Sequence, residues 1–411
     1  MKISFLTFIF LSSFTIVIAQ NESLQPDTLR KDALNVYMQA SDYIRKEIPF
    51  VNYVRDIKDA KVYIISSSQR TGSGGNEFMY FLNGQHEFTG MNDTISFVSS
   101  SDDTQDQIRE GQVKVLKMGL MRYIAKTPLA KHVNIKFSQP LSEEVSTDKW
   151  DSWVFRTRFN GFFQGQKTYK SSNINGSFSA NRVTDNWKMN YNLGINQGTD
   201  KFEIEDEIIK SVNKSKYFNA LIVKSINEHW SYGATARISS STYSNRKFSA
   251  EFLPSIEYDI FPYSESTRRQ LRLLYSIGAY SYQYTDTTIY NKTEESKLGQ
   301  QLCAAYEVVQ KWGSMELNMR WRNYFSDWKL NNLSLEGYVN FRITKGLTFN
   351  LGGVYELIHD QLSLVKGGAT SEEILLRRKE LETSYSFFTH FGLTYTFGSI
   401  YNNVVNPRFG N

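Results

Sequence analysis

The sequence predicts a two-part protein: a small α+β domain followed by an all-β, about twelve-stranded antiparallel barrel that crosses a membrane. Three observations predict it. From residue 152 onward, apolar and polar residues alternate in runs of roughly ten to fifteen. The connections between those runs alternate between short turns and long charged loops. The first twenty residues read as an export signal.

Composition narrows the class further. The chain has 411 residues, 15% of them aromatic, and a single cysteine, Cys303. One cysteine excludes a disulfide framework and a cysteine-rich zinc site. Forty-seven basic residues face 42 acidic ones, so the net charge of +5 is no footprint for nucleic acid. Mean hydropathy is negative. Beyond the leader no apolar run approaches the ~18 residues of a membrane helix, a measure blind to barrels.

Met1 and Lys2 open the leader, residues 3–18 are almost uncharged and apolar, and Ala19 offers a small residue for cleavage there or after Gln20. No cysteine stands at the cut, so a lipoprotein anchor is not expected. The mature chain is expected outside the cytoplasm.

Residues 30–140 have mixed periods. Strands are expected at 33–39, 61–66, 77–82, 86–89, 95–98 and 133–137, with 77–82 and 86–89 forming a hairpin at Asn83-Gly84. Ser41 offers an N-cap to a helix over 42–48 that Pro49 stops. Val113, Leu116, Leu120 and Ile124 make one apolar stripe on a helix over 103–126. The glycine run at 71–75 lacks the Lys-Ser/Thr pair and helix start of a phosphate loop, so it reads as a hairpin tip. No acid–base or metal constellation stands out, and the domain reads as an adaptor. Its docking candidates are Tyr53 and Arg55, which alternation leaves on the opposite face from Val54.

The barrel is expected over 152–397. Trp153, Phe155, Phe159 and Phe163 share one face of its first strand, while Arg156, Arg158, Asn160 and Gln164 share the other. Apolar residues to lipid and polar ones to the lumen make a transmembrane strand. Soluble sandwich strands run about five or six residues; these are twice that, near the ~9–11 needed to cross a bilayer at a tilt. Strands are expected near 152–166, 170–183, 187–199, 215–226, 230–243, 246–260, 267–284, 296–310, 314–325, 331–343, 347–358 and 383–397. The long loops 198–214, 285–295 and 359–382 then fall outside, and both termini, with the 398–411 tail, fall in the periplasm. Trp153, Trp187, Trp230 and Trp312 mark strand ends on the periplasmic side as an aromatic girdle. Closure is expected because an open edge leaves unpaired amides in lipid. In the last strand His390, Gly392, Tyr395 and Phe397 have the spacing read by the barrel-assembly machinery.

The stretches EIPFVNYVRD (47–56), the glycine loop 71–75 and GSIYNNVVNPRF (398–409) resemble a group of uncharacterised Bacteroidota outer-membrane β-barrel proteins with an N-terminal periplasmic α/β domain. The resemblance covers the mature chain and implies the fold, but no activity. The first domain is also similar, at fold level alone, to small periplasmic modules of envelope assembly proteins.

The inward faces are expected to carry Arg156, Arg158, Lys188, Lys224, Arg272, Arg320, Arg322 and Arg342 against Glu251, Glu257, Asp259, Glu307, Glu316, Glu336 and Glu356. Near-balanced signs suit an ion-pair network that fills the lumen, or a narrow channel lined by opposing ladders. No open pore larger than a small solute is expected. A lipid-modifying enzyme needs a serine activated by a histidine on the outer rim. Only His359 with Ser363 approaches that pattern, without an oriented third partner. The leading reading is a non-enzymatic outer-membrane barrel with a periplasmic docking domain and a structural or assembly role. The alternatives are a small-solute channel, then the enzyme. The implied partners are outer-membrane lipid, the barrel-assembly machinery and a periplasmic protein, with no nucleic acid, cofactor or metal.

Overall fold

The computed structural model describes residues 32–72, 74–135, 148–204, 207–367 and 380–398. The leader, residues 136–137 of the expected strand at 133–137, residues 368–379 of loop 359–382 and residues 399–411 of the C-terminal tail lie outside them.

The first domain runs β1 (Leu34–Tyr37), α1 (Asp42–Glu47), β2 (Val51–Tyr53), β3 (Val62–Arg70), β4 (Asn76–Gly84), β5 (Asn92–Val98) and α2 (Gln105–Ile124). Its five strands lie in the order β2-β1-β3-β4-β5, with β1 parallel to β2 and β3 and the rest antiparallel. Ser41 caps α1 by accepting from the Ile44 amide at 3.4 Å. Thr104 and Gln107 form a reciprocal capping box that starts α2. Val113, Leu116, Leu120 and Ile124 are all buried, as the stripe predicts, and pack with Leu34, Val36, Val62, Ile64 and Leu82. Tyr123 completes that layer and donates its hydroxyl to the Met91 carbonyl at 2.6 Å. Both helices therefore cover one face of the sheet.

Two local expectations differ. Residues His86–Phe88 form a 3-10 turn, and β4 pairs instead with β5. Gly84 stays in the ladder opposite Val62, because the chain turns back around it and a Cβ there would strike the Phe88 carbonyl. After α2, Pro128–His132 is a 3-10 turn, and residues 133–135 form no strand.

The second part is a meander of twelve strands, β6 (Trp153–Gln166), β7 (Tyr169–Val183), β8 (Trp187–Ile204), β9 (Glu207–Ser225), β10 (Trp230–Ser241) and β11 (Arg246–Asp259). It continues with β12 (Arg269–Tyr284), β13 (Glu294–Gln310), β14 (Gly313–Tyr324), β15 (Asp327–Thr344), β16 (Leu347–Ile358) and β17 (Tyr385–Tyr395). Each strand pairs antiparallel with its neighbour in sequence, from β6 through to β17. The expected twelve runs and these strands agree to within a few residues, except that β8 and β9 extend far into the loop expected at 198–214. The charged residues there interrupt the apolar alternation without interrupting the hydrogen-bonded ladder.

Candidate functional site

Register decides which side chains share a face, because ladder partners project to the same side. One row runs Arg156, Ser179, Asn192, Asn219, Arg237, Glu251, Tyr280 and Lys297 across eight strands. A second runs Ser231, Glu257, Leu274, Cys303, Arg320, Ser334 and Glu356. Lys188 on β8 and Glu336 on β15 border one cavity of about 550 Å³, so the sheet curls and this polar face is its concave side. Arg158, Arg272, Glu307, Glu316, Arg322 and Arg342 keep the same parity and lie on it too.

Lys224 does not. It stands opposite Trp187 in register, with its ammonium 4.7 Å from the indole centroid, on the convex side. Its parity follows Ala220 and Ile222, and its long apolar stem lies along the tryptophan while the ammonium sits over the ring. Arg237, which strict alternation on β10 would have revealed, takes its place on the concave face and pairs with Glu251 at 3.3 Å.

The convex face is largely apolar. Phe155, Phe159, Leu193, Ile195, Tyr232, Phe252, Ile277, Leu298 and Phe391 are all exposed there, Phe159 and Phe391 at 76%. Trp153, Trp187, Trp230 and Trp312 fall at the same end of the sheet, next to Tyr191, Tyr258 and Phe341 rings.

That end carries the first domain. The sheet face not covered by helices presents Tyr37 and Phe81 to it. Arg342 of β15 stacks 4.7 Å from the Tyr37 ring, donates to its hydroxyl and pairs with the buried Asp56 at 3.7 Å. Lys345 in the next turn meets Asp59 at 2.7 Å. Arg268, just before β12, lies 5.3 Å over Phe81. Gly346 in that β15–β16 turn holds φ +74°, and a Cβ there would overlap the Thr396 carbonyl. Arg55 donates to the carbonyls of Phe397 and Gly398 at 3.1 and 2.6 Å. The hairpin tip 71–75 reaches β6 and β7: Arg156 donates to the Gly74 carbonyl at 3.2 Å, and a Cβ on Gly72 would overlap Val183. The glycines thus serve close approach rather than phosphate.

Of the docking candidates, Arg55 is committed to the chain's own β17 end. Tyr53 is buried, donating to the Ile44 and Ile48 carbonyls, and burial holds its phenol well above the usual value. Val54 is buried as well. Alternation fails at β2 because both faces of this sheet are covered, one by helices and one by the larger sheet.

The opposite end is closed differently. Residues 359–367 fold back so that Leu362 packs among Tyr280, Tyr282, Tyr284 and Tyr324. Asp360 pairs with Arg322 at 2.5 Å, Asn245 donates to the Ser363 carbonyl at 3.0 Å, and Thr288 bridges to Val365. The Ser363 hydroxyl lies 3.5 Å from Glu380, while the His359 ring meets Asn331, so these two side chains make no dyad. His390 lies on the concave face against the Tyr338 and Phe388 rings, with Gly392 on the same side. Tyr395 and Phe397 stack at 5.6 Å.

Just inside the first-domain end, Arg272 meets Glu257 at 3.6 Å, and Tyr263 donates to Glu257 at 2.7 Å. Burial pushes the Tyr263 phenol up to about 12, so it stays a neutral donor. Among the described residues, most concave ion pairs therefore join neighbouring strands, or reach into a cap, instead of crossing the concave space. No group of residues among those described is arranged to hold a metal, and no described helix is long and apolar enough to cross a membrane.

No family model matches the sequence, and a search of curated proteins finds no match. Among solved structures the chain is similar to one described as a NanC porin in a rhombohedral crystal form, at 8% identity and a TM-score of 0.28. That alignment covers 59% of this chain and 99% of the porin. So distant a likeness carries no functional information.

Proposed function

We propose that the chain is a non-enzymatic outer-membrane β-barrel that closes by pairing β17 with β6. Its N-terminal domain stays seated on the periplasmic mouth and keeps a polar lumen shut at rest. The observation that carries this reading is the pairing of opposite faces: a continuous exposed apolar belt backs a charged concave surface. Water does not tolerate so large an apolar patch, whereas lipid requires one. Strands of 11 to 19 residues are long enough to cross at a tilt. Closure follows because free edge amides in hydrocarbon each cost several kcal/mol.

In this reading the domain docks in cis. Its sheet face and Arg55 are engaged by the barrel, which leaves the α2 side for any periplasmic partner. The Bacteroidota resemblance, the leader and the β17 signal for the assembly machinery fit the same placement. The test is topology. Protease added to intact cells should cut within 359–382, where Arg377-Arg378 offers a site, and should spare residues 30–140. Cleavage of the first domain in intact cells would overturn the orientation.

A further inference from the structure

The domain's hairpin tip does more than close the mouth. Between it and strands β6–β10 lies a cavity of about 690 Å³ whose charged lining is entirely basic: Arg70, Arg156, Lys188 and Arg237. No Asp or Glu borders it among the described residues. Arg237 is matched by Glu251 just beyond the lining, and among the described residues Arg156 reaches the neutral Gly74 carbonyl. Arg70 and Lys188 make no ion pair among the described residues. The remaining polar wall is built of asparagines. Asn190 donates to Asn181 at 2.8 Å, and Asn192 and Asn219 stand beside them in register.

We propose that this cavity binds a small hydroxyl-rich anion, its carboxylate or phosphate held by Arg70, Arg156 and Lys188 and its hydroxyls by the asparagine wall. Three uncompensated cations around a narrow space repel one another, and an anion relieves that repulsion. Asparagine amides offer both donors and acceptors, the pairing that hydroxyl groups need. The volume lies within the range of small-molecule sites. Because Arg70 belongs to the domain and the other groups to the barrel, the site exists only while the domain is seated. It therefore rests on the proposed docking in cis. Lys188, Leu221 and Thr235 border both this cavity and the central one, so a bound anion sits at the threshold of the lumen.

The experiment is calorimetric titration of the purified full chain in nanodiscs with glucuronate, glucose 6-phosphate and neutral glucose. In parallel, carbodiimide should join Lys345 to Asp59, whose ion pair is short enough for a zero-length crosslink, and so report whether the domain is seated. At least one anion is expected to bind tenfold or more tighter than glucose. Lys188→Gln with Arg70→Gln should weaken it at least tenfold, and Arg109→Gln on the far side of α2 should leave it unchanged. Which anion binds decides between carboxylate and phosphate. Equal or undetectable binding of all three in crosslink-competent protein would overturn the site while leaving the seated domain intact, as would full binding by the double variant. Failure of the crosslink would instead overturn the seated domain and the site with it.

Discussion

Arg342 shows how one side chain can join the two parts. Its guanidinium combines a ring stack on Tyr37 with a charge contact to Asp56, whose side chain is 5% exposed and also accepts from the Lys58 amide at 2.9 Å. Removing one partner of a buried pair leaves the other charge stranded, at a cost of about 3 kcal/mol. Arg342→Ala should therefore lower the yield of the Lys345–Asp59 crosslink sharply, and Arg342→Lys should fall between, since it keeps charge but loses the planar stack. Unchanged yield in the alanine variant would show that Arg342 does not hold the domain. At this scale the sequence was only partly legible. Alternation put Arg342, Arg320 and Glu257 on the polar face, yet could not foresee that Arg342 answers an aspartate in the first domain. The patch at Tyr53 and Arg55 divided, with the arginine reaching the barrel and the tyrosine entering the core. Lys224 broke the alternation because its long stem packs on Trp187 at the strand end and leaves the ammonium free to reach water.

Among the elements, the twelve strands were legible because the two faces of the sheet, one apolar and one polar, impose opposite demands on alternate residues along each strand. That alternation lapses at the far ends of β8 and β9 while their ladder continues, which is why the hairpin runs on through a segment that reads as loop. Short local runs were harder. The tetrapeptide at 86–89 has strand-like composition, but the chain turns back so tightly there that the Phe88 carbonyl packs against Gly84. Nothing in the sequence marks 359–367 as an inserted segment, since its apolar residues, Leu362 and Leu364, read as an ordinary loop with scattered leucines. Register puts Tyr280, Tyr282 and Tyr284 on the concave face, where they receive Leu362. Leu362→Ala should cost about 3 kcal/mol in local stability through lost burial and the cavity left behind. The amide of Ile289, which donates to the Leu364 carbonyl at 2.8 Å, should then exchange hydrogen markedly faster. Exchange as slow as in the unaltered protein would mean that the segment is held by its backbone contacts alone.

For the molecule as a whole, the two-part organisation followed from the change of period near residue 150, whereas the relation of the parts did not. Sequence suggested a domain that docks a separate partner, and gave no sign that contacts run from Arg55, Asp56, Asp59, Phe81 and the hairpin tip to the short-turn end of the twelve-stranded sheet. One end is thus covered by the domain and the other by residues 359–367. Whether the barrel is held shut by its own N-terminal domain is tested most directly by single-channel recording in planar bilayers. The full-length protein should give little or no steady conductance. Asp56→Asn with Asp59→Asn, which removes both charges facing Arg342 and Lys345, should give frequent or sustained openings. Large, steady, ion-nonselective conductance from the unaltered protein would contradict a barrel closed at rest.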